Sequence, residues 1–439
     1  MMKSKCLQVF DNRKISRAAG VLALLTGLLG ALLSSQGAVA QLRYDTDFPV
    51  IGYETRPLQD AFSRAMAELE ASGGTLEYDA NGRGYLDSLL ELLDIDPSSQ
   101  ILVWAKTSLK VRFIEPENPR ALYFNDEVYV GFVPGSSALE IGAMDPVVGP
   151  VFFDFFQNPE AEESFDRETG RCLRCHDTYS QTGGGVPRFM IMSVLAGTDG
   201  NMVSHEISEV TDTSTPFGLR WGGLYVTGTH GSITSLANFI VDSAEKMRNP
   251  DFPAYGNKLS LDEFVNLDGY LRGTSDIVAL LVLEHQVEVQ NRLTRLNYES
   301  RQLLEDQGAI ANETLDPLIR QLLDSLFMAH EAPLTDKIEG SSGFQEYFAA
   351  LGPQDAQGRS LREFDLQTRT FRYPLSYLVY SPAIAQLADP VRARLFAQIL
   401  AVLRQQPDAV DYPHINADQR ATILAILQAT TSWPELMND

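Results

Sequence analysis

Two cysteines and a histidine form the most specific chemical pattern in the chain. Cys172, Cys175 and His176 occur in the order Cys-Leu-Arg-Cys-His, which is the C-x-x-C-H signature of c-type haem attachment. Two thiols at this spacing on a helical turn can reach both vinyl groups of one porphyrin, and the following histidine can lie under the iron as its proximal ligand. The signature occurs once, so the sequence predicts one covalent haem c.

Two other uses of a C-x-x-C pair fit the sequence less well. A thioredoxin-like redox pair belongs at a helix N-terminus inside a βαβ unit, whereas a polar loop-like segment, 157–171, precedes Cys172. A zinc site needs further ligands close by, and the only other cysteine is Cys6, in the basic N-terminal segment. The pattern therefore favours haem.

The second axial ligand decides what a haem can do, because a strong protein ligand favours electron transfer and an open site permits catalysis or gas binding. His285 has the best setting, since Leu281 and Val289 lie on the same apolar helix face. We expect His176 and His285 to hold the iron. His230, Met247, a methionine of the segment RFMIM, or no protein ligand remain the alternatives.

Charged residues around these positions have two possible interpretations. The haem propionates need cationic or donor partners, and the candidates nearest the motif are Arg171, Arg174, Arg188, Arg220 and Trp221. Glu284 and Arg292, with His285 and Gln286, could move protons and stabilise charge at an open iron. We favour the simpler interpretation, in which Glu284 and Arg292 lie on a solvated helix face.

The first forty residues have the pattern of a cleavable secretory signal. A basic head precedes an apolar run at 21–33 and a small-residue end with Ala38 and Ala40. The run is short for the roughly 30 Å core of a bilayer, so we expect cleavage before Gln41, a periplasmic or secreted protein, and no stable membrane anchor. Cys172 and Cys175 would then be the only cysteines of the mature chain.

Composition restricts the class of partner. The chain has 439 residues, 44% of them hydrophobic, with 35 Lys and Arg against 58 Asp and Glu and a net charge of −23. A globular protein with real cores is expected. Nucleic acid is an improbable partner for so acidic a chain, because phosphate binding relies on Lys and Arg. A cationic soluble redox protein is the expected partner, since opposite charges accelerate association.

The periodicity predicts an α+β fold. Its parts are an N-terminal α+β region at 41–156, a haem-attachment region with β-hairpins at 157–272, and a mainly helical C-terminal region at 273–439. Within the first part, 41–100 is expected to be helical and 101–156 to form an antiparallel sheet with a hairpin turn at Asn125–Asp126.

Helix ends are predicted from capping residues. Ser275 is the expected N-cap of a long helix carrying His285, and Asn416 that of the last helix. Further amphipathic helices are expected at 314–330, 389–405 and 417–430. The segments RFMIMSVLA and MVSHEI, on either side of GTDGN, are expected to form a hairpin.

Several longer segments make the chain similar to exported proteins that carry a single cytochrome c motif and whose role is undetermined. They are ILVWAKTSLKVRFI, RALYFNDEVYVGFVPG, LEIGAMDPVVGPVFF, CLRCHDTYSQTGGGVP, RWGGLYVTGTHG, SDIVALLVLEHQ and LQTRTFRYPLSYLVYSPA. The resemblance implies an exported haem protein and favours His230 and His285 as candidates for the second axial ligand, because both lie inside these segments. It implies no substrate. Di-haem peroxidases differ by a second haem motif, which this chain lacks.

The expected function is electron transfer by a periplasmic monohaem c-type cytochrome. The alternative is a peroxidase- or oxidase-like haem oxidoreductase acting on a small molecule at an open distal site, and gas sensing is a third possibility. A simple carrier needs only about 100 residues around its haem. The extra length indicates a docking surface, a substrate pocket or both.

Overall fold

Seven antiparallel strands form the central sheet of the protein, in a computed structural model that describes residues 45–160, 164–177, 185–205 and 208–436. The strands are β1 (Ile101–Val103), β2 (Arg120–Phe124), β3 (Val128–Phe132), β4 (Ala138–Asp145), β5 (Gly149–Phe156), β6 (Phe165–Arg167), β7 (Ile191–Val194), β8 (Ser208–Thr211) and β9 (Leu224–Tyr225). The sheet order is β6-β5-β4-β3-β2-β1-β9, and β7 pairs with β8 in a separate hairpin. The predicted signal at 1–40 lies outside the described residues.

Side-chain acceptors fix the two tight turns of this sheet. The side-chain oxygen of Asn125 accepts from the backbone N–H groups of Glu127 and Val128, and so closes the β2–β3 turn. Asp145 does the same for Val147 and Val148 between β4 and β5. The antiparallel sheet predicted for 101–156, with its turn at Asn125, is therefore confirmed.

The sheet separates two hydrophobic cores, because successive residues of a strand face opposite sides. Phe153 and Phe155 of β5 pack against the N-terminal helices, where Phe62 lies 4.8 Å from Phe153 between ring centroids. Phe152 of the same strand faces the other core, which contains the longest helix of the described residues. The C-x-x-C-H segment borders this second core, because Phe152 contacts His176.

Ten helices accompany the sheet in the part of the chain that the structure describes. They are α1 (Ala61–Ala71), α2 (Leu86–Leu92), α3 (Leu173–His176), α4 (Ala244–Arg248), α5 (Ile277–Gln307), α6 (Asn312–Leu326), α7 (Phe344–Ala350), α8 (Pro382–Ala385), α9 (Asp389–Leu403) and α10 (Ala417–Thr430). Within the described ranges, none of them is long and apolar enough to cross a bilayer. The predicted α+β fold class is confirmed.

Helix α5 is the element that connects the two layers. Asp276, not the predicted Ser275, caps it by accepting from the N–H groups of Val278 and Ala279. The Ser275 hydroxyl instead donates to the carbonyl of Tyr225 and so joins the start of the helix to strand β9. The predicted cap of α10 is confirmed, since Asn416 and Gln419 form a reciprocal capping box.

Three local expectations differ from the structure. At the start of the sheet expected over 101–156, strand β1 ends already at Val103, because Trp104 and the next residues bond to loop carbonyls, including that of Gly223. In the described residues 45–100, the predicted helical region consists of the short helices α1 and α2 and two 3₁₀ helices, Asp45–Asp47 and Pro97–Ser99, joined by turns. Strand β7 pairs with β8, and the described residues 202–205 of the MVSHEI segment meet the RFMIMSVLA segment through the Ala196–Met202 bridge and the hydrogen bond from the Val203 N–H to the Leu195 carbonyl.

Strands β6 and β9 come from the predicted haem-attachment region, yet they form the two edges of the sheet whose other strands lie in 41–156. The predicted regions 41–156 and 157–272 therefore share one sheet.

Candidate functional site

The two cysteines and the histidine lie on one short helical turn. Cys172 precedes α3 in helical conformation, and its carbonyl accepts from the N–H groups of Cys175 and His176 at 3.1 and 3.0 Å. Leu173, the first residue of α3, packs against hydrophobic cores and anchors the turn. Cys172 is partly buried, Cys175 is exposed, and neither sulfur is in a disulfide. Both thiols are therefore available for covalent attachment.

The imidazole of His176 is held in the tautomer that a metal ligand requires. Its Nδ1 lies 2.6 Å from the backbone carbonyl oxygen of Arg188. A carbonyl can only accept, so Nδ1 carries the proton and Nε2 keeps its lone pair. Burial lowers the pKa of His176 to about 4, so the ring is neutral at physiological pH. This is the arrangement that protein-bound metals commonly select, with the second ring nitrogen donating to a carbonyl.

Helix α5 fixes that carbonyl indirectly. Phe189, the residue after Arg188, donates its N–H to the side-chain oxygen of Asn291 at 3.0 Å, and its carbonyl accepts from the Asn291 amide nitrogen at 2.9 Å. The N–H of Arg188 also donates to the carbonyl of His176 at 2.9 Å. We call His176, Arg188, Phe189 and Asn291 the proximal clamp.

An aromatic contact completes the environment of the ring. Phe152 of β5 lies 4.5 Å from His176 between ring centroids, and it also packs against Phe189. The sheet therefore supports the imidazole from one side while the Arg188 carbonyl sets its rotation. Sequence reasoning missed three of these groups. Phe152 acts through packing, Arg188 acts through its backbone carbonyl, and Asn291 acts through its position on an amphipathic helix.

The cysteine thiols do not have the character of a redox pair. The pKa of Cys172 is raised to about 12, first by burial and then by the nearby carboxylates of Glu168, Glu140 and Asp154. Redox-active cysteines are instead stabilised as thiolates by positive surroundings or by a helix N-terminus. The local electrostatics therefore weigh against the thioredoxin-like interpretation.

The donor set fits a haem better than it fits an isolated metal ion. Among the described residues, no group of three or more His, Cys, Asp or Glu side chains is placed to hold a metal. The motif instead offers two free thiols for covalent attachment and one neutral imidazole with a free Nε2 lone pair. These residues fit haem c better than an isolated ion: Cys172 and Cys175 would be the attachment points and His176 would be the iron ligand.

His285 is not brought to this ligand. Its Nε2 lies 2.7 Å from the hydroxyl of Ser376, and its ring packs against Phe371 and Tyr377 in the helical layer. None of these residues contacts His176 in the described part of the chain. Burial lowers the pKa of His285 to about 3, so it is a neutral, hydrogen-bonded core residue. As an iron ligand it would have to give up the Ser376 hydrogen bond.

The other distal candidates have partners or positions of their own. The ring Nε2 of His230 accepts from the backbone N–H of Asn257 at 3.0 Å, and the backbone N–H of His230 donates to the side-chain oxygen of Asn257. Met247 lies on the short helix α4 with 40% of its surface exposed. Met190 follows the clamp residue Phe189 directly, and it is the methionine of the RFMIM segment nearest the motif in sequence.

The helix positions around His285 face three different environments. Glu284 is buried and accepts from Arg220 at 2.9 Å and Trp221 at 3.2 Å, so its predicted place on a solvated face is wrong. Burial raises the pKa of Glu284 to about 7 although Arg220 opposes the shift. Gln286 points to the sheet and donates to the carbonyl of Asn125. These residues therefore form no common distal group, and Arg220 and Trp221 are already bound to Glu284.

Comparison with known proteins adds no assignment: no protein-family model, no curated protein and no solved structure matches the chain.

Proposed function

We propose that this chain is an exported c-type cytochrome that binds one haem covalently and transfers electrons. The observation that supports this most strongly is the state of His176. Its Nδ1 proton is donated to the Arg188 carbonyl, which leaves the Nε2 lone pair for iron, on the same helical turn as two free thiols.

Attachment requires only the two thiols and the two vinyl groups. The sulfurs of Cys172 and Cys175 would each add to one vinyl group, with the thiol hydrogen passing to the other vinyl carbon, so the addition would need no oxidant and would release no leaving group. A thiol with a high pKa is compatible with this addition, because Cys172 needs no stable thiolate in the folded protein. Covalent attachment also prevents loss of the cofactor outside the cell.

His176 and the rest of the proximal clamp set the electronic properties. Bound haem supplies a one-electron couple between ferric and ferrous iron. The hydrogen bond to the Arg188 carbonyl makes the imidazole more basic and fixes its rotation. The contact with Phe152 excludes water from one side of the ring.

The charge of the chain supports a redox partner of opposite sign. With a net charge of −23, the surface attracts cationic proteins at long range and repels acidic ones. We therefore propose that the redox partner is a soluble cationic electron carrier in the periplasm or outside the cell.

Cysteine variants test the attachment. The protein is produced by export in a host that matures c-type cytochromes, and haem is detected by its peroxidase stain after denaturing electrophoresis. We expect the stain with the wild type and its loss in Cys172→Ala, Cys175→Ala double variants. Cys6→Ala, which removes the remaining cysteine, is the matched control and should keep the stain. A stain that survives the double variant contradicts the proposal.

A catalytic role at an open iron is the second candidate, and the position of His285 favours it. The best predicted distal ligand is held by Ser376 in the helical layer, away from the contacts of His176. An iron without a strong second protein ligand is high-spin and reacts with small molecules.

His285→Ala distinguishes the two ligand arrangements in the holoprotein. We expect an unchanged visible spectrum, together with a loss of stability, because the variant removes a buried ring and its hydrogen bond. A change from a low-spin to a high-spin spectrum contradicts this and restores His285 as the ligand.

A further inference from the structure

A cleft of about 560 Å³ lies between three loops that the proposed function does not use. Its walls come from 214–218 in the segment after β8, from 232–234, and from 330–335 in the connection after α6. The N–H of Ala332 donates to the carbonyl of Thr213 at 2.8 Å and joins two of these walls. Pockets of about 300–1,000 Å³ typically hold small molecules, so the cleft is large enough for such a ligand.

Glu331 brings a fixed carboxyl group to this cleft. Its Oε1 accepts from the backbone N–H of Thr370 at 3.1 Å and also from the Thr370 hydroxyl. Glu331 forms no ion pair with any residue that the structure describes, and its Oε2 has no hydrogen-bond partner among them. Because Glu331 lines the cleft, Oε2 is the acceptor that is available to a ligand.

The cations nearest to this carboxyl group are bound elsewhere. Arg220 and Arg369 are the arginines whose charges act on Glu331. Arg220 donates to Glu284 at 2.9 Å, and Arg369 donates to the carbonyl of His414 at 3.3 and 3.4 Å. Burial nevertheless raises the pKa of Glu331, against the effects of the Thr370 hydrogen bonds and the two arginines. A cationic ligand in the cleft would supply the direct counter-charge that a largely buried carboxylate needs.

An aromatic ring and two hydroxyl groups complete the lining. The guanidinium of Arg220 lies 4.4 Å from the ring centroid of Phe217, and Arg220 is buried, so this face of the ring points into the protein. The ring is partly exposed and lines the cleft. Thr234 and Thr335 also line it, and their exposed hydroxyls make no hydrogen bond within the described ranges. The cleft therefore combines one anionic acceptor, two free hydroxyl groups and an aromatic surface.

We infer that this cleft binds a small primary ammonium compound, whose N–H groups donate to Glu331 Oε2 and to the threonine hydroxyls while its carbon atoms pack against Phe217. Hydrogen bonds between an ammonium and a carboxylate are among the strong ones, and aromatic rings favour a neighbouring cation. The Glu331 carboxylate repels an anion, and a neutral polyol leaves its charge uncompensated. This binding goes beyond electron transfer and does not depend on haem attachment, because the proximal clamp contributes no residue to the cleft.

Titration of the mature holoprotein with ethanolamine tests the inference, because this probe is an ammonium ion with one hydroxyl at neutral pH. Ethylene glycol is its neutral counterpart. Ligand-observed NMR at constant ionic strength should show saturable binding of ethanolamine and none of ethylene glycol. Glu331→Gln, which can still accept from Thr370, should weaken the binding of ethanolamine at least about tenfold. Glu339→Gln removes the same charge from an exposed residue paired with Lys337 and should leave the affinity unchanged.

A second variant covers the case in which Glu331→Gln does not fold, as judged by circular dichroism. Thr335→Val changes an exposed side chain that has no hydrogen bond to lose, and it should weaken binding several-fold. The inference is wrong if ethanolamine does not bind saturably, if ethylene glycol binds equally well, or if the folded Glu331→Gln variant, or Thr335→Val in its place, binds like Glu339→Gln. The haem absorbance of the same samples reports separately on the haem proposal.

Discussion

Removal of the Asn291 side chain tests whether helix α5 controls the iron ligand through the proximal clamp. Asn291→Ala deletes the hydrogen bonds to both backbone groups of Phe189, at 3.0 and 2.9 Å. Each hydrogen bond contributes about 0.5–1.5 kcal/mol net, so we expect a loss of about 1–3 kcal/mol in the free energy of unfolding. The free energy of unfolding of a typical domain is about 5–15 kcal/mol, so the variant should still fold.

The second expected effect of Asn291→Ala is electronic. Without the Asn291 bonds, the Arg188 carbonyl is less well fixed and its hydrogen bond with His176 weakens. A less basic imidazole stabilises ferric iron less, so the reduction potential should rise.

Asn297→Ala is the matched control on the same helix. Asn297 also makes two side-chain hydrogen bonds, donating to the carbonyl of Val147 and accepting from Arg301. Urea denaturation of the two holoproteins should give similar losses of stability, whereas only Asn291→Ala should change the potential measured by redox titration. Equal potentials in both variants would refute the role assigned to the clamp.

Two further predictions concern charge. Burial raises the pKa of Glu284 from 4.5 to about 7 in the folded protein, so its contribution to stability is fully present at low pH and is lost as the pH rises through about 7. Glu284→Gln, which cannot ionise, should therefore show a smaller fall in the free energy of unfolding between pH 5 and 7 than the wild type; identical pH profiles by urea denaturation contradict this. Reduction of the holoprotein by a cationic cytochrome should be faster than by an acidic one, and should slow as the screening length falls from about 30 Å at 0.01 M to about 8 Å at 0.15 M ionic strength. Stopped-flow rates that are equal and independent of salt would exclude electrostatic steering.

The sequence predicts those parts of the fold that depend on local patterns. Alternating strands and the Asn125 turn identify the sheet, and Asn416 identifies the start of α10, because these signals act within a few residues. The Ser275 cap is misplaced by one residue, since both Ser275 and Asp276 are capping types. Only the structure shows that Ser275 bonds to Tyr225 while Asp276 caps the helix.

The site was only partly accessible from sequence. Cys172, Cys175 and His176 are recognised because attachment chemistry fixes their spacing. The role of the Arg188 carbonyl could not be predicted from sequence, because every residue has a backbone carbonyl and the residue type does not show which one bonds to His176. For His285, the apolar helix face predicts burial of the ring but does not identify its hydrogen-bond partner, which in the structure is Ser376.

The arrangement of Glu284 shows how tertiary contacts change the meaning of a charged residue. A glutamate in a helix is usually solvated, and the sequence favoured that interpretation. In the structure, the Gly-rich segment after β8 brings Arg220 and Trp221 to this side chain. The two segments are too far apart in sequence for any helical periodicity to predict their contact.

The intact mass of the exported protein tests the central claim most directly. The protein is purified from a host with the machinery for c-type cytochrome maturation and analysed by denaturing mass spectrometry, with its absorption spectrum recorded beforehand. We expect the mass of the mature polypeptide plus one haem, retained after denaturation, and a Soret band. A mass equal to that of the unmodified polypeptide, with no Soret absorption, would contradict the account.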